Sequence, residues 1–289
     1  HRLVSAETLA EHTPDLVFLA LPHGVSMDFV AKYHDAPFRM IDLSGDFRLS
    51  TPSVYADWYG KEHVYPLGFD AAVYGLPEVH RPVIREARLV ANPGCYPTCS
   101  ILGTLPLLEA DLIDPDQVII DAKSGTTGAG VTPKETTHYS NVSDNFRAYG
   151  LKSHRHTAEI EEQLIARGAA EHAVQFTPHM LPVDRGILAT IYTRPRRTVT
   201  EAEVVAAYAS RYAEEPFVRL RNTPPTLKEV RGSNFCDVYV TYDARTKRII
   251  TLSAIDNLVK GAAGQAVQNM NCMYGFDEDS GLRHIPMNP

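Results

Sequence analysis

The stretch from Ala87 to Ala110 constrains the fold more than any other. Ala87 to Ala91 is a short apolar run that reads as a buried strand, and Ser100 to Ala110 reads as an apolar helix. Between them, Ala91-Asn92-Pro93-Gly94-Cys95-Tyr96-Pro97-Thr98 leaves room only for a tight strand-to-helix junction. Pro97 suits a first helical turn, where its missing N–H costs little. Cys95 therefore falls just ahead of the helix or inside its first turn. A helix N-terminus carries partial positive charge and unpaired N–H groups, and both favour a thiolate. The same N–H groups can hold an oxyanion formed beside the sulfur. A free cysteine is also a common small core residue, so position alone leaves both roles open.

Upstream, Asp15 leads into Leu16-Val17-Phe18-Leu19-Ala20-Leu21, the pattern of a strand buried on both faces of a parallel sheet. Pro22-His23-Gly24 is a turn, Ser26 to Tyr33 a helix, and Phe38 to Leu43 the next strand. That order is a strand-helix-strand unit, with a right-handed crossover expected. The second strand runs into Asp42-Leu43-Ser44-Gly45-Asp46-Phe47-Arg48. In open α/β sheets, ligands bind beyond the carboxyl ends of strands, where both turns lie. Read alone they are equally two ordinary strand-to-helix turns. Thr51 to Pro82, rich in Tyr, Pro, Gly and His and holding Trp58, reads as an irregular excursion. Ser5 is placed to cap a short helix toward Glu11. The opening residues from His1 read as the interior of a fold, so a preceding strand and helix are expected.

Downstream, the strand Gln117 to Ala122 enters Lys123-Ser124-Gly125-Thr126-Thr127-Gly128-Ala129-Gly130. A Gly- and hydroxyl-rich loop beside a lysine offers N–H groups and a cation to phosphate. Its spacing is not that of a P-loop. Ser153-His154-Arg155-His156 opens an amphipathic helix to about Ala166. Two histidines two residues apart suit a loop that aims each ring separately. No third ligand stands at a familiar spacing, so a metal is not expected, and a histidine partner for Cys95 fits better. After Asp184-Arg185-Gly186 comes a strand, Ile187 to Tyr192. Thr200 and Glu203 form a capping box for a helix to Tyr212. Phe235 to Tyr242 and Arg248 to Ala254 alternate as a hairpin joined at Asp243 to Lys247. Asp256 to Ala266 opens a last helix toward Tyr274, expected to return to the first domain.

A net charge of −7 argues against nucleic acid as the main partner. No stretch approaches the roughly 20 apolar residues of a membrane span. The four cysteines, Cys95, Cys99, Cys236 and Cys272, show no metal-type pairing, and a reducing, cytoplasmic setting is expected.

These pieces together resemble the N-acetyl-gamma-glutamyl-phosphate reductases. The resemblance rests on Leu21 to Gly24, Asp42 to Arg48, Asn92 to Thr98 and Asp121 to Gly125. It continues through His154 to His156, Arg185-Gly186, Gly232 to Asn234 and Asp256 to Ala266. It implies an α/β fold: a Rossmann-type parallel sheet, here without its first strand-helix unit, plus an α+β substrate and dimerisation domain with a mixed or antiparallel sheet. The implied domains are 1–94 with 260–289, and 95–259. The family's Gly-rich pyrophosphate turn is absent from this sequence, and Cys99 stands where a small Gly or Ala is usual.

The implied reaction is NADP(H)-dependent reduction of an acyl phosphate to an aldehyde through a Cys95 thioester. Cys95 and His154 would be catalytic. Arg48, Lys123, Ser124, His156 and Arg185 would bind substrate. Pro22, Ser44, Gly45, Gly128 and Asn257 would line the cofactor groove. The implied partners are a small-molecule substrate and further copies of the chain, as a homodimer or homotetramer, with neither nucleic acid nor membrane. The nearest alternatives are the related reductase of lysine biosynthesis, aspartate-semialdehyde dehydrogenase, and a non-catalytic protein keeping the fold.

Overall fold

The computed structural model describes residues 8–12 and 14–288, which form two compact units. The first unit holds residues up to Pro93 together with Ala266–Glu278; the second holds Gly94–Gln265 and Asp279 onward. Ser5, the expected cap, lies outside the described residues. Among the described residues no helix is long and apolar enough to cross a membrane.

In the first unit, α1 (Leu9–His12) precedes β1 (Leu16–Leu19), α2 (Ser26–Tyr33) and β2 (Arg39–Asp42). Then come α3 (Pro52–Tyr59), α4 (Leu67–Ala71), β3 (Ala72–Tyr74), α5 (Pro77–Glu86) and β4 (Leu89–Ala91). The four strands pair in parallel in the order β1-β2-β4-β3. Ile41 and Val90 are fully buried at the centre of this sheet. Phe18, on β1 at the end of that order, is 42% exposed, and Leu19 beside it is buried. The supposed excursion from Thr51 to Pro82 is ordered. Thr51 caps α3 by accepting from Val54 N, with Pro52 at its first position, and Gly60 ends it at φ 69°. Pro52, Pro66 and Pro77 start short helices and Gly60 ends one, while Pro82 and Gly68 lie inside helices.

The second unit begins with α6 (Cys95–Glu109) and β5 (Ile113–Ser124). It continues through the short α7 (Tyr139–Val142), β6 (Arg147–Ala148), α8 (His156–Ile165), β7 (Val174–Met180) and β8 (Ile187–Pro195). Next come α9 (Glu201–Tyr212), β9 (Val218–Leu220), β10 (Cys236–Asp243) and β11 (Arg248–Ile255). A π-helical turn, Val259–Ala263, then leads into α10 (Gly264–Tyr274). Most of α10 belongs to the first unit. The seven strands form one mixed sheet in the order β6-β7-β5-β8-β11-β10-β9. β5–β7 and β10–β9 are parallel and the other pairs antiparallel. The hairpin β10–β11 and the Thr200 cap, which accepts from Glu203 N, form as the sequence suggested.

Helix α6 is apolar on nearly every side because it is enclosed on nearly every side: thirteen of its fifteen residues are buried. The phenols of Tyr208 and Tyr212 on α9 donate to the carbonyls of Gly103 and Leu102 at 2.6 Å. A Cβ on Gly103 would stand 2.6 Å from Ile191 Cδ1 on β8 and 3.1 Å from Ser253 Cβ, so the helix packs closely on the sheet there. The opposite sheet face is open along β5 and β8, where Ile119 and Tyr192 are exposed.

Candidate active site

Cys95 is the first residue of α6, capped by Gly94 in extended conformation, and it is half-buried. It opens into a cavity of about 270 Å³ lined also by Tyr96, Ser124, Tyr149, His154 and His156. Gly128 contributes to the same wall. The other thiols are buried. Cys99 donates to the Ser253 carbonyl at 3.1 Å, and burial pushes its pKa up to about 12. Burial likewise raises Cys236, and lifts Cys272 to about 12.

Three devices hold Cys95. Its place at the start of α6 puts it at the positive end of the helix dipole. Glu159, buried in the first turn of α8, accepts from Gly94 N at 2.7 Å and so ties the two helix starts together. Gly261, in the π-helical turn, lies so close that a Cβ there would sit 2.7 Å from Cys95 Cβ. π-turns recur at functional sites because they re-aim the chain locally. Sequence reading missed Glu159 and Gly261 as site residues.

His154 lies just ahead of α8, set by a turn at Gly150 with φ 58°. A Cβ on Gly150 would come within 3.3 Å of His154 Cβ. The two histidine rings are not aimed apart. Their centroids are 4.9 Å from each other, and both stand edge-on to Tyr96. Tyr149 and Phe176 complete the enclosure of His154. Burial, helped by the charge of Arg155, lowers the His154 pKa to about 4, so the ring is neutral near pH 7. The backbone N–H of His156 donates to His154 Nδ1 at 3.2 Å, which assigns the ring proton to Nε2. Tyr149 donates to the Tyr96 hydroxyl at 3.1 Å, and Tyr96 donates to the His179 carbonyl at 3.1 Å. Burial raises the Tyr149 pKa to about 12 and that of Tyr96 further, so both remain donors.

Strand alternation separates Ser124 from Lys123. Ser124 lines the cavity, whereas the Lys123 ammonium meets Asp121 Oδ1 at 3.0 Å and the Asp121 carbonyl at 2.9 Å. Arg185 is paired at 3.0 Å with Asp256, which is fully buried. The cations that line the cavity are Arg155 and Lys134. The loop after β5 does not present its N–H groups as expected. Gly125, Thr126 and Thr127 donate theirs to the carbonyls of Gly186, Val183 and Asp184. Asn257 locks this arrangement, accepting from Gly186 N at 2.7 Å and donating to Thr127 Oγ1 at 2.9 Å. Asp256 accepts from Gly232 N and from Leu258 N and Val259 N. Three separated sequence motifs thus meet at one aspartate–asparagine pair.

In the first unit the turns after β1 and β2 are also joined. Asp46 is buried and accepts from Gly24 N, Met27 N and Tyr55 Oη. Gly45 N donates to His23 Nδ1 at 2.8 Å, and Ser44 Oγ donates to Asp42 Oδ2 at 2.7 Å. Pro22 is exposed, while Ser44 and Gly45 are buried. Arg48 is buried and braces this turn: Nε donates to the Asn92 carbonyl at 2.8 Å and Nη2 to the Leu43 carbonyl at 2.9 Å.

Residues 95–257 match the family described as semialdehyde dehydrogenase, dimerisation domain, and residues 3–87 match semialdehyde dehydrogenase, NAD binding domain. The chain is 51% identical over 278 residues to N-acetyl-gamma-glutamyl-phosphate reductase of Geobacter metallireducens, covering 95% of this chain and 80% of that protein. It is 51% identical over 270 residues to the enzyme of the same name from Desulforudis audaxviator, covering 93% and 78%. Aspartate semialdehyde dehydrogenase II of Vibrio cholerae shares the fold, with TM-score 0.67 and 15% identity over 90% of this chain and 79% of that one. Half of its residues are shared with these reductases along nearly its whole length, and the chain belongs to the N-acetyl-gamma-glutamyl-phosphate reductase family of semialdehyde dehydrogenases.

Proposed function

We infer that the chain is an NADPH-dependent acyl-phosphate reductase that converts N-acetyl-gamma-glutamyl phosphate to N-acetylglutamate semialdehyde and phosphate, a step of arginine biosynthesis. The observation that carries this reading is Cys95, a half-buried thiol at a helix start, sharing one cavity with His154. The turns after β1 and β2 suit a dinucleotide. They lie beyond the carboxyl ends of parallel strands, and the carboxylates of Asp42 and Asp46 are turned inward onto hydrogen-bond donors. Pro22, Ser44, Gly45, Gly128 and Asn257 would hold the cofactor, which supplies hydride when bound.

Cys95 Sγ attacks the acyl carbonyl carbon. The carbon–oxygen bond to phosphate breaks, phosphate leaves with the electron pair, and a thioester on Cys95 remains. The N–H groups at the start of α6 and the Nε2–H of His154 stabilise the oxyanion. After reduction, the Nε2–H of His154 holds the thiohemiacetal oxyanion by a hydrogen bond; its electron pair re-forms the carbonyl as the carbon–sulfur bond breaks, releasing aldehyde and restoring the thiolate. Arg155 and Lys134, with Ser124 and His156, receive the phosphate and the substrate carboxylate. Lys123 and Arg185 act behind this wall through their pairings with Asp121 and Asp256, and Arg48 acts within the first unit by bracing the turn after β2.

Copies of the chain associate through the open face of the second unit's sheet, as a homodimer or homotetramer. Sedimentation velocity tests this, and a monomer at micromolar concentration overturns it. The reaction is tested in reverse, with N-acetylglutamate semialdehyde, phosphate and NADP, by the appearance of NADPH. No turnover with this aldehyde overturns the assignment. A higher kcat/KM on the aldehyde one methylene longer reassigns the substrate, since one methylene in a pocket is worth only about 1–3 kcal/mol.

A further inference from the structure

A cluster of five cations on this net-acidic chain lies away from Cys95. Strand β8 starts at Ile187, paired with Ser124 of the Cys95 cavity, and ends at Pro195. Its nine residues span roughly 25 Å. At the far end lies a cavity of about 590 Å³ lined by Arg194, Arg196, Arg197, Lys247 and Arg248, and no carboxylate lines it. Two of these cations are neutralised from outside the wall, Arg196 by Asp111 and Arg197 by Glu203. Arg194, Lys247 and Arg248 have no carboxylate partner among the described residues.

Two features of this cluster are unfavourable to the fold. One step beyond the Thr193–Ile249 pair, the register sets Arg194 opposite Arg248 across antiparallel strands. Like charges in that arrangement repel. Asp243, opposite Arg248 across the hairpin, offsets this only in part, because its carboxylate is turned onto Arg245 N, Thr246 N and Thr246 Oγ1 and is shared with the Arg245 guanidinium at 3.7 Å. Lys247 sits at φ 53°, a left-handed turn position that favours glycine or asparagine. Cations held together at a cost around an acid-free cavity match an anion better than they match water.

We propose that this cavity is a second anion site, separate from the reaction site, that binds a small molecule through a diphosphate group. Arg194 and Arg248 grip the phosphates from the sheet, and Lys247 closes over them from the turn. The site is tested by calorimetric titration of inorganic pyrophosphate at about 0.15 M ionic strength, with saturating NADP present to fill the nucleotide groove. Saturable binding is expected, weakened roughly tenfold or more in Arg194→Gln/Arg248→Gln. Without pyrophosphate that variant melts no lower than the parent, since a repulsion has been removed. Lys247→Gly provides an independent arm: relief of the left-handed strain raises Tm, while pyrophosphate affinity falls. Absence of binding to the parent protein, or equal affinity in parent and variants, overturns the proposal.

Discussion

Glu159 Oε1 accepts a hydrogen bond from Gly94 N at 2.7 Å, joining the helix that follows His154 to the helix that Cys95 begins. The two halves of the reaction site come from segments about sixty residues apart, and this bond is a direct link between their first turns. Glu159→Ala leaves the Gly94 N–H buried and unpaired, at a cost of roughly 1–3 kcal/mol. For a chain of this size that lowers Tm by several degrees. Glu159→Gln keeps an acceptor oxygen and restores most of the loss. Thermal melts of both variants measure this, and an unchanged Tm in Glu159→Ala rules out a positioning role.

Gly261→Ala tests the contact on the other side of Cys95. The added methyl has to displace the Cys95 Cβ, which lies 2.7 Å from its ideal position. A nucleophile moved by a fraction of an ångström loses rate more than binding, so kcat falls roughly tenfold or more with little change in NADP affinity. Brief iodoacetamide treatment at neutral pH supplies a second reading. In the parent, Cys95 alone is modified and activity is lost with it, because Cys99, Cys236 and Cys272 are buried with raised pKa values. In Gly261→Ala the alkylation rate changes as well. Unaltered kinetics and alkylation mean that the π-turn does not set the sulfur.

The cations separate into two classes. Arg185→Ala deprives the buried Asp256 carboxylate of its charged partner, and breaking such a pair costs roughly 3–5 kcal/mol. The three backbone N–H groups on Asp256 place the loss toward the lower end. Arg155 is exposed on the cavity wall, so Arg155→Ala leaves Tm nearly unchanged and raises the KM for the acyl phosphate roughly tenfold or more. Melting curves and initial rates on the two variants decide it. A raised KM without a Tm change in Arg185→Ala returns that arginine to the substrate.

Local signals in the sequence were readable wherever one segment decides its own conformation. Helix Ser26–Tyr33 follows from its own residues, the α9 cap from Thr200 and Glu203, and the place of Cys95 from Gly94 and Pro97. What stayed hidden depends on partners far along the chain. Arg185 read as a free cation because Asp256 is seventy-one residues away, whereas the Lys123–Asp121 pair, two residues apart on one face of β5, follows from strand alternation and was overlooked. Short strands such as Val218–Leu220 exist because a neighbour offers an edge. The meeting of the His154 and His156 rings on Tyr96 is likewise a tertiary fact.

His154 yields a pH dependence whose sign follows from its surroundings. Burial, with Arg155 adding to it, lowers the pKa of the folded protein to about 4, from an ordinary value of 6.5. Between these values the unfolded chain takes up a proton that the folded chain does not. The contribution of His154 to stability is therefore complete above about pH 6.5, falls as the pH drops toward 4, and is constant below that. His154→Gln cannot titrate, so its Tm declines less steeply than that of the parent over the same window. Catalysis follows the same logic. A ring that stays neutral from about pH 5 to about pH 8 adds no ionisation to kcat/KM in that range. Its Nε2–H acts on charge that develops in the transition state, so His154→Ala lowers kcat far more than it raises KM. Scanning calorimetry across the window and a pH–rate profile measure the two consequences. Parallel Tm curves for parent and His154→Gln, together with a kcat/KM ionisation near pH 6.5 that the variant abolishes, identify His154 instead as a group that gains its proton in the free enzyme.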